Sequence, residues 1–154
     1  MKMYANWVHG NALRVESPEN VGRFQHVFSG TNVLMTPGKS SWFHIAVPSP
    51  VVIGDVRAQL QRVFILFDIP HAGHITELHL YDGPNKIREI KQLELNGTHI
   101  WSLDTINTFN LPSLHSVRWG IGISFLFAAG ADTEGGSITP SILIVGSAGG
   151  DFMA

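Results

Sequence analysis

Glu77, His79 and Tyr81 are the residues of this sequence whose types and spacing best suit chemistry. Residues two apart project from one face of a strand, so a carboxylate, an imidazole and a phenol would stand in a row. A carboxylate beside an imidazole can orient it as a general base. Asp68, near the end of the preceding strand, would join the row if the two strands form a hairpin. The plainer alternative is a solvent-facing strand surface, which also alternates polar residues. No Gly-x-Ser-x-Gly elbow occurs, so acyl transfer has no support.

A second set pairs indoles with hydrogen-bonding groups. Trp7 and His9 share a strand face, as do Trp42 and His44, and Trp101 follows His99 in a strand-like stretch. Tryptophan offers a large apolar face with one polar handle, which suits a sugar or another flat, apolar-faced ligand. The competing use of each indole is to fill the core or a subunit interface.

The histidines number eight, and His71, His74 and His79 form the densest group. A metal centre needs several such ligands converging on one point. No His-x-His pair and no His-Glu-x-x-His helix is present. The odd spacing of His74 and His79 directs them to opposite faces of a regular strand. No metal and no cofactor are expected. The run from Gly146 to Asp151 follows a strand and is rich in glycine, but it has no Lys-Ser/Thr pair and no following helix, so it is not a phosphate-binding loop. It reads as a flexible or surface-packed C-terminus.

These residues need elements to hold them, and the sequence spells out strands. Turn-forming pairs recur at Gly10-Asn11, Ser29-Gly30, Pro37-Gly38, Asp82-Gly83-Pro84-Asn85, Asn96-Gly97 and Gly135-Gly136. Between them, Ala12 to Glu16, Arg23 to Phe28, Trp42 to Val47 and Ile75 to Tyr81 alternate as strands do. Val63 to Phe67 is apolar on both faces, as in a central strand. Val117 to Ala128 reads as the longest strand, with Val117, Trp119, Ile121, Ile123, Phe125 and Phe127 in one apolar row. Ile142 to Val145 closes the regular structure. Asp55 could cap a short helical turn through Leu60 and Phe64. Ile87, Ile90 and Leu93 fit either a helix or a bulged strand. Pro48 and Pro50 mark a connection, and Gly130 to Gly136 reads as a mobile loop. About ten short strands without an internal repeat predict an all-β chain, a two-sheet antiparallel sandwich, jelly-roll-like, forming a single domain over residues 1–154.

Opposite the apolar row of the longest strand stand Gly120 and Gly122. Glycine inside a strand is costly in conformational entropy and leaves nothing to pack. Either a ligand or second backbone approaches this face, or the strand bends there. The first alternative makes Gly120 and Gly122 interface residues.

Composition narrows the partners. The chain has 154 residues, no cysteine and a net charge of −2, without any run of Lys or Arg. The electrostatic footprint of a nucleic-acid binder is therefore missing. No apolar stretch is long enough for a spanning helix, and the N-terminus lacks the apolar core of a secretory signal, so a cytoplasmic location and no membrane partner are expected. Charged residues make up only 14% of the chain, against about 25% in ordinary globular proteins, which predicts surface hidden by homo-oligomerisation; the alternative is a surface rich in Ser, Thr, Asn and Gly, which the chain also has.

Four segments, Trp7-Val8-His9-Gly10-Asn11, Trp42-Phe43-His44, Tyr81-Asp82-Gly83 and Ser147-Ala148-Gly149-Gly150-Asp151-Phe152, resemble those of a family of small bacterial β-sandwich proteins of unknown function. The resemblance covers most of the chain and implies no activity. The residues lead to a non-enzymatic, self-associating binding or structural module whose ligand is a carbohydrate or small amphipathic molecule. The alternative is a small hydrolase or isomerase working on the Glu77, His79, Tyr81 face.

Overall fold

The alternating sequence folds as two antiparallel sheets packed face to face, and the computed structural model describes residues 1–130 and 139–154. Among these residues the chain passes through β1 (Met3–His9), β2 (Arg14–Val15), β3 (Val21–Val27), β4 (Gly30–Met35), β5 (Ser40–Val47), β6 (Val52–Ile53) and β7 (Val56–Arg57). It continues through β8 (Gln59–Ile69), β9 (His74–Asp82), β10 (Asn85–Ile90), β11 (Gly97–His99), β12 (Thr108–Ser116), β13 (Ile121–Ala128) and β14 (Ser141–Met153). The larger sheet runs β11-β8-β14-β4-β3, with β12 also on β8 and β1 on β14. The smaller runs β10-β9-β13-β5-β2, and β6 pairs with β7 alone. The chain crosses between the sheets after β1, β2, β4, β8, β10, β12 and β13, and from β5 to β8 by way of the β6–β7 hairpin. This sets β4-β14-β8-β12 against β5-β13-β9-β10, the expected two-sheet antiparallel sandwich.

The core lies between the sheets. Ile65, Phe67 and Ile69 of β8 and Leu143 and Val145 of β14 meet Phe43 and Ile45 of β5 and Ile123, Phe125 and Phe127 of β13, all buried. Phe43 and Phe125 stack with centroids 5.7 Å apart. Each such side chain contributes roughly 1.5–3 kcal/mol by leaving water. Val63, Ile65 and Phe67 are buried on the inner face and Phe64 on the outer, where Trp7 covers it with centroids 5.2 Å apart, while Leu66 is half-buried.

Several expectations change. The longest strand is β14, with 13 residues, and it runs through the glycine-rich segment to Met153 rather than ending at Val145. Its glycines admit neighbours: a Cβ on Gly149 would lie 2.6 Å from the Trp7 ring, and one on Gly150 3.3 Å from the Arg62 carbonyl oxygen. Low strand propensity is overridden there by close packing. The helical turn near Asp55 does not form. Gly54 and Asp55 have φ of 52° and 64°, which makes them the two-residue turn of the β6–β7 hairpin. Ile87 and Ile90 lie on a bulged strand, with a register shift between Lys86 and Arg88.

The stretch Val117 to Ala128 is not one strand. Strand β13 begins at Ile121, and Gly120, at φ 149°, turns the chain just before it. Trp119 is therefore 70% exposed and leaves the apolar row. Phe28 is also exposed, in the turn after β3. Pro48 to Pro50 does connect β5 to β6. The expected mobile loop from Gly130 to Gly136 and the turn at Gly135-Gly136 fall, apart from Gly130, outside the described residues.

Candidate functional site

Cross-strand register assembles the outer face of the smaller sheet row by row. One row runs Arg14, His44, Ser124, His79, Glu89 across all five strands. On one side of it lies the row Trp42, Leu126, Glu77, and on the other Ala46, Gly122, Tyr81. The structure thus joins two sets that the sequence treats separately: Trp42 and His44 from β5, and Glu77, His79 and Tyr81 from β9.

Asp68 does not join them. It lies on β8, in the opposite sheet, where its carboxylate accepts a hydrogen bond from Thr98 Oγ1 at 2.9 Å. The link between β8 and β9 is a sheet-to-sheet crossing, not a hairpin, so sequence proximity misleads here. His71 lies exposed in that crossing. His74 is exposed at the start of β9, and a bulge at Thr76 restores it to the same outward face as His79, against the odd-spacing expectation.

Hydrogen bonds fix the histidines of the face. Glu77 Oε1 lies 3.0 Å from His79 Nε2, which puts the proton on Nε2 and turns Nδ1 toward the Tyr81 hydroxyl, 3.5 Å away. The Trp42 ring packs over the same imidazole with centroids 4.7 Å apart. His44 is held likewise, with Nε2 3.0 Å from Glu16 Oε1 and Nδ1 2.7 Å from Ser124 Oγ. Both nitrogens of each ring face protein groups, so neither imidazole has a nitrogen directed at a substrate.

Glu77, His79 and Glu89 bring one ligand atom each within 4.8 Å of the others, a spacing at which they could hold a divalent cation. Lys91 and Lys86 already contact the Glu89 carboxylate at 2.8 and 2.9 Å. These two ammonium groups hold its pKa down to about 2, and they would oppose a second cation.

The floor of the face is open at one place. Among the described residues a Cβ added to Gly122 would meet no atom within 4 Å, and its φ is ordinary, so neither close approach by them nor bending demands this glycine. A depression of about 520 Å³ lies over it, walled by Tyr81 on one side and by Arg14, His44 and Ser124 on the other. That volume falls in the range of small-molecule sites, roughly 300–1,000 Å³. Gly120 is different: it lies in a turn, and its positive φ accounts for it.

The remaining indoles stand elsewhere. Trp7 and His9 lie on β1, over the larger sheet; Trp7 stacks on Phe64, and His9 Nδ1 accepts from the Asn11 N–H at 3.1 Å. Trp101 is 88% exposed on the loop after β11. Buried Asn107 braces that loop by donating to the carbonyls of His99 and Ser102. Asp104 binds His99 Nδ1 at 2.7 Å; burial pushes its pKa up, but the bonds from His99, Asn107 and Ile106 prevail and lower it.

One residue escaped the sequence reading. Asp82 continues the inward row of Leu78 and Leu80, yet it is a buried carboxylate. It accepts hydrogen bonds from the N–H groups of Arg118, Trp119 and Gly120 at 2.9, 2.8 and 3.0 Å, and from His115 Nε2 at 2.8 Å. Burial raises its pKa, but the bonds from Gly120, His115, Trp119 and Arg118 together outweigh that and hold it at about 2. An acidic residue in an apolar register was the available signal.

The fold is similar to that of a low-affinity xylan-binding module, CBM86, from the xylanolytic gut symbiont Roseburia intestinalis. The TM-score is 0.51 at 12% sequence identity, covering 97% of this chain and 96% of that one. No curated protein matches the sequence. Among the described residues, no helix is long and apolar enough to cross a membrane. A family profile without assigned activity matches residues 1–146, in keeping with the resemblance noted above, and the chain belongs to that family of unknown function, DUF6623.

Proposed function

We propose that the protein is a non-enzymatic carbohydrate-binding module whose ligand lies across the outer face of the smaller sheet. The observation that carries this reading is the register of β5, β13 and β9, which gathers His44, Ser124 and Tyr81 around the open floor at Gly122, with Trp42 farther along the same face. Sugars present apolar ring faces edged by hydroxyls. Tyr81 supplies an aromatic wall, and Arg14 supplies a hydrogen-bonding group opposite it. The likeness in fold to a xylan-binding module selects xylan as the first ligand to try. The enzyme alternative loses ground because His79 is engaged by Glu77, faced by Tyr81 and covered by Trp42, leaving no base directed outward.

Native affinity electrophoresis in gels containing soluble xylan tests the reading. The protein is expected to be retarded, and Tyr81→Ala and Gly122→Val to weaken retardation at least about fivefold. Trp101→Ala, away from this face, is expected to behave as the parent. Absence of retardation with xylan and with other soluble plant glucans and mannans would overturn it. Light scattering separates the competing use of Gly122: a mass that drops to monomer in Gly122→Val, without any glycan binding by the parent, assigns the face to a second copy of the chain.

A further inference from the structure

We infer that the Trp119 loop forms a second ligand site, one for an acidic sugar ring; this rests on the reading of the protein as a glycan binder. Trp119 is 70% exposed, but the loop that carries it is clamped. The buried Asp82 carboxylate takes the three successive N–H groups of Arg118, Trp119 and Gly120. The Gly83 N–H donates to the Gly120 carbonyl at 2.8 Å, closing the loop against the β9–β10 turn. Gly83 also seats the side chain, since a Cβ there would fall 2.8 Å from the Trp119 Cβ. A loop held in place before the ligand arrives loses little freedom on binding.

Beside the indole lies a depression of about 500 Å³ lined by Arg57, Ser116, Arg118 and Trp119. Arg57 is anchored through Nη1, which donates to the Val117 carbonyl at 3.3 Å. Among the described residues neither Arg57 nor Arg118 pairs with a carboxylate. Two guanidinium groups beside one aromatic face match a ring that is apolar on its face and anionic at its edge. A nucleic acid is disfavoured by the net charge of −2 and the lack of basic runs.

Isothermal titration with a neutral xylo-oligosaccharide and its glucuronic-acid-substituted counterpart tests the site, with thermal unfolding confirming that each variant is folded. At low salt the acidic sugar is expected to bind about tenfold tighter than the neutral one. That gain should vanish in Trp119→Ala and in Arg118→Ala, survive in Trp119→Phe, and persist in Tyr81→Ala. Equal affinity for the two sugars, or a gain that survives Trp119→Ala, overturns the second site while leaving the first reading intact. Binding of the acidic sugar alone, lost in Trp119→Ala, upholds the second site and removes the first. Binding of neither sugar removes both.

Discussion

Gly149 and Gly122 occupy corresponding places on the two outer faces, each in the strand that runs through the middle of its sheet. On the larger sheet the row is Trp7, Gly149, Phe64; on the smaller it is Tyr81, Gly122, Ala46. The Trp7 indole leans over Gly149 onto Phe64 and fills the space that a side chain would take. Over Gly122 none of the described residues leans, and the space stays open to them. The same residue type thus completes packing on one face and provides a floor on the other. The difference lies in the neighbours: an aromatic ring covering a bare strand restores contacts that glycine cannot make, whereas Tyr81 lies near His79, with ring centroids 6.2 Å apart.

The largest way to break the contrast is Gly149→Val. Its Cβ would lie 2.6 Å from the Trp7 ring and 2.8 Å from the Asn6 carbonyl oxygen, so stability should fall by about 3 kcal/mol. Thermal or urea unfolding reads this directly. Gly122→Val should instead change stability by less than about 1 kcal/mol, because the added group meets open space in an ordinary strand conformation. An equal loss in both variants would end the distinction between a packed and an open glycine.

Next is acid. Asp82 has its pKa held at about 2 in the folded protein, below the ordinary 3.8. A carboxylate depressed on folding adds stability that is full above about pH 4 and is lost as pH falls toward 2, here about 2 kcal/mol. Unfolding titrations from pH 5 to 2 should show this loss, and Asp82→Asn should flatten it. A loss of the same size in Asp82→Asn would assign the acid sensitivity to other carboxylates.

A smaller effect concerns the indoles themselves. Trp7→Ala should lower stability by about 2 kcal/mol and leave glycan binding unchanged, because Trp7, though 38% exposed, is spent on Phe64 and Gly149. Trp42→Ala should reverse the pattern, with a stability loss of about 1 kcal/mol and weakened retardation in xylan gels. Denaturant midpoints and gel mobility on the same samples distinguish the two.

Much of this was legible in the residues. The alternation of Trp42 to Val47 and of Ile75 to Tyr81 placed Trp42 with His44 and Glu77 with His79 and Tyr81 on common faces, because side-chain direction in a strand follows from a period of two. The double-sided apolar run Val63 to Phe67 marked a central strand for the same reason. The bulge at Thr76 was not legible: one inserted residue shifts the parity, and nothing in Ile75-Thr76-Glu77 announces it. Nor was the continuation of the C-terminal strand beyond Val145, whose glycines oppose strand formation locally and make sense only beneath Trp7 from β1.

Strand content, the turns, the inward apolar rows and the composition of each outward face were determined by the sequence, since each depends on residues near one another in the chain. Which rows became neighbours was decided by tertiary structure alone. Asp68 and Glu77 are close in sequence yet lie in opposite sheets, and His44 and Ser124 are 80 residues apart yet 2.7 Å from each other. Strand order also decided which glycine is covered. Trp7 reaches Gly149 because β1 pairs with β14, while no aromatic strand neighbour leans over Gly122. Pairing between distant strands is set by the fit of whole sheets around one core, a condition that no local segment carries by itself.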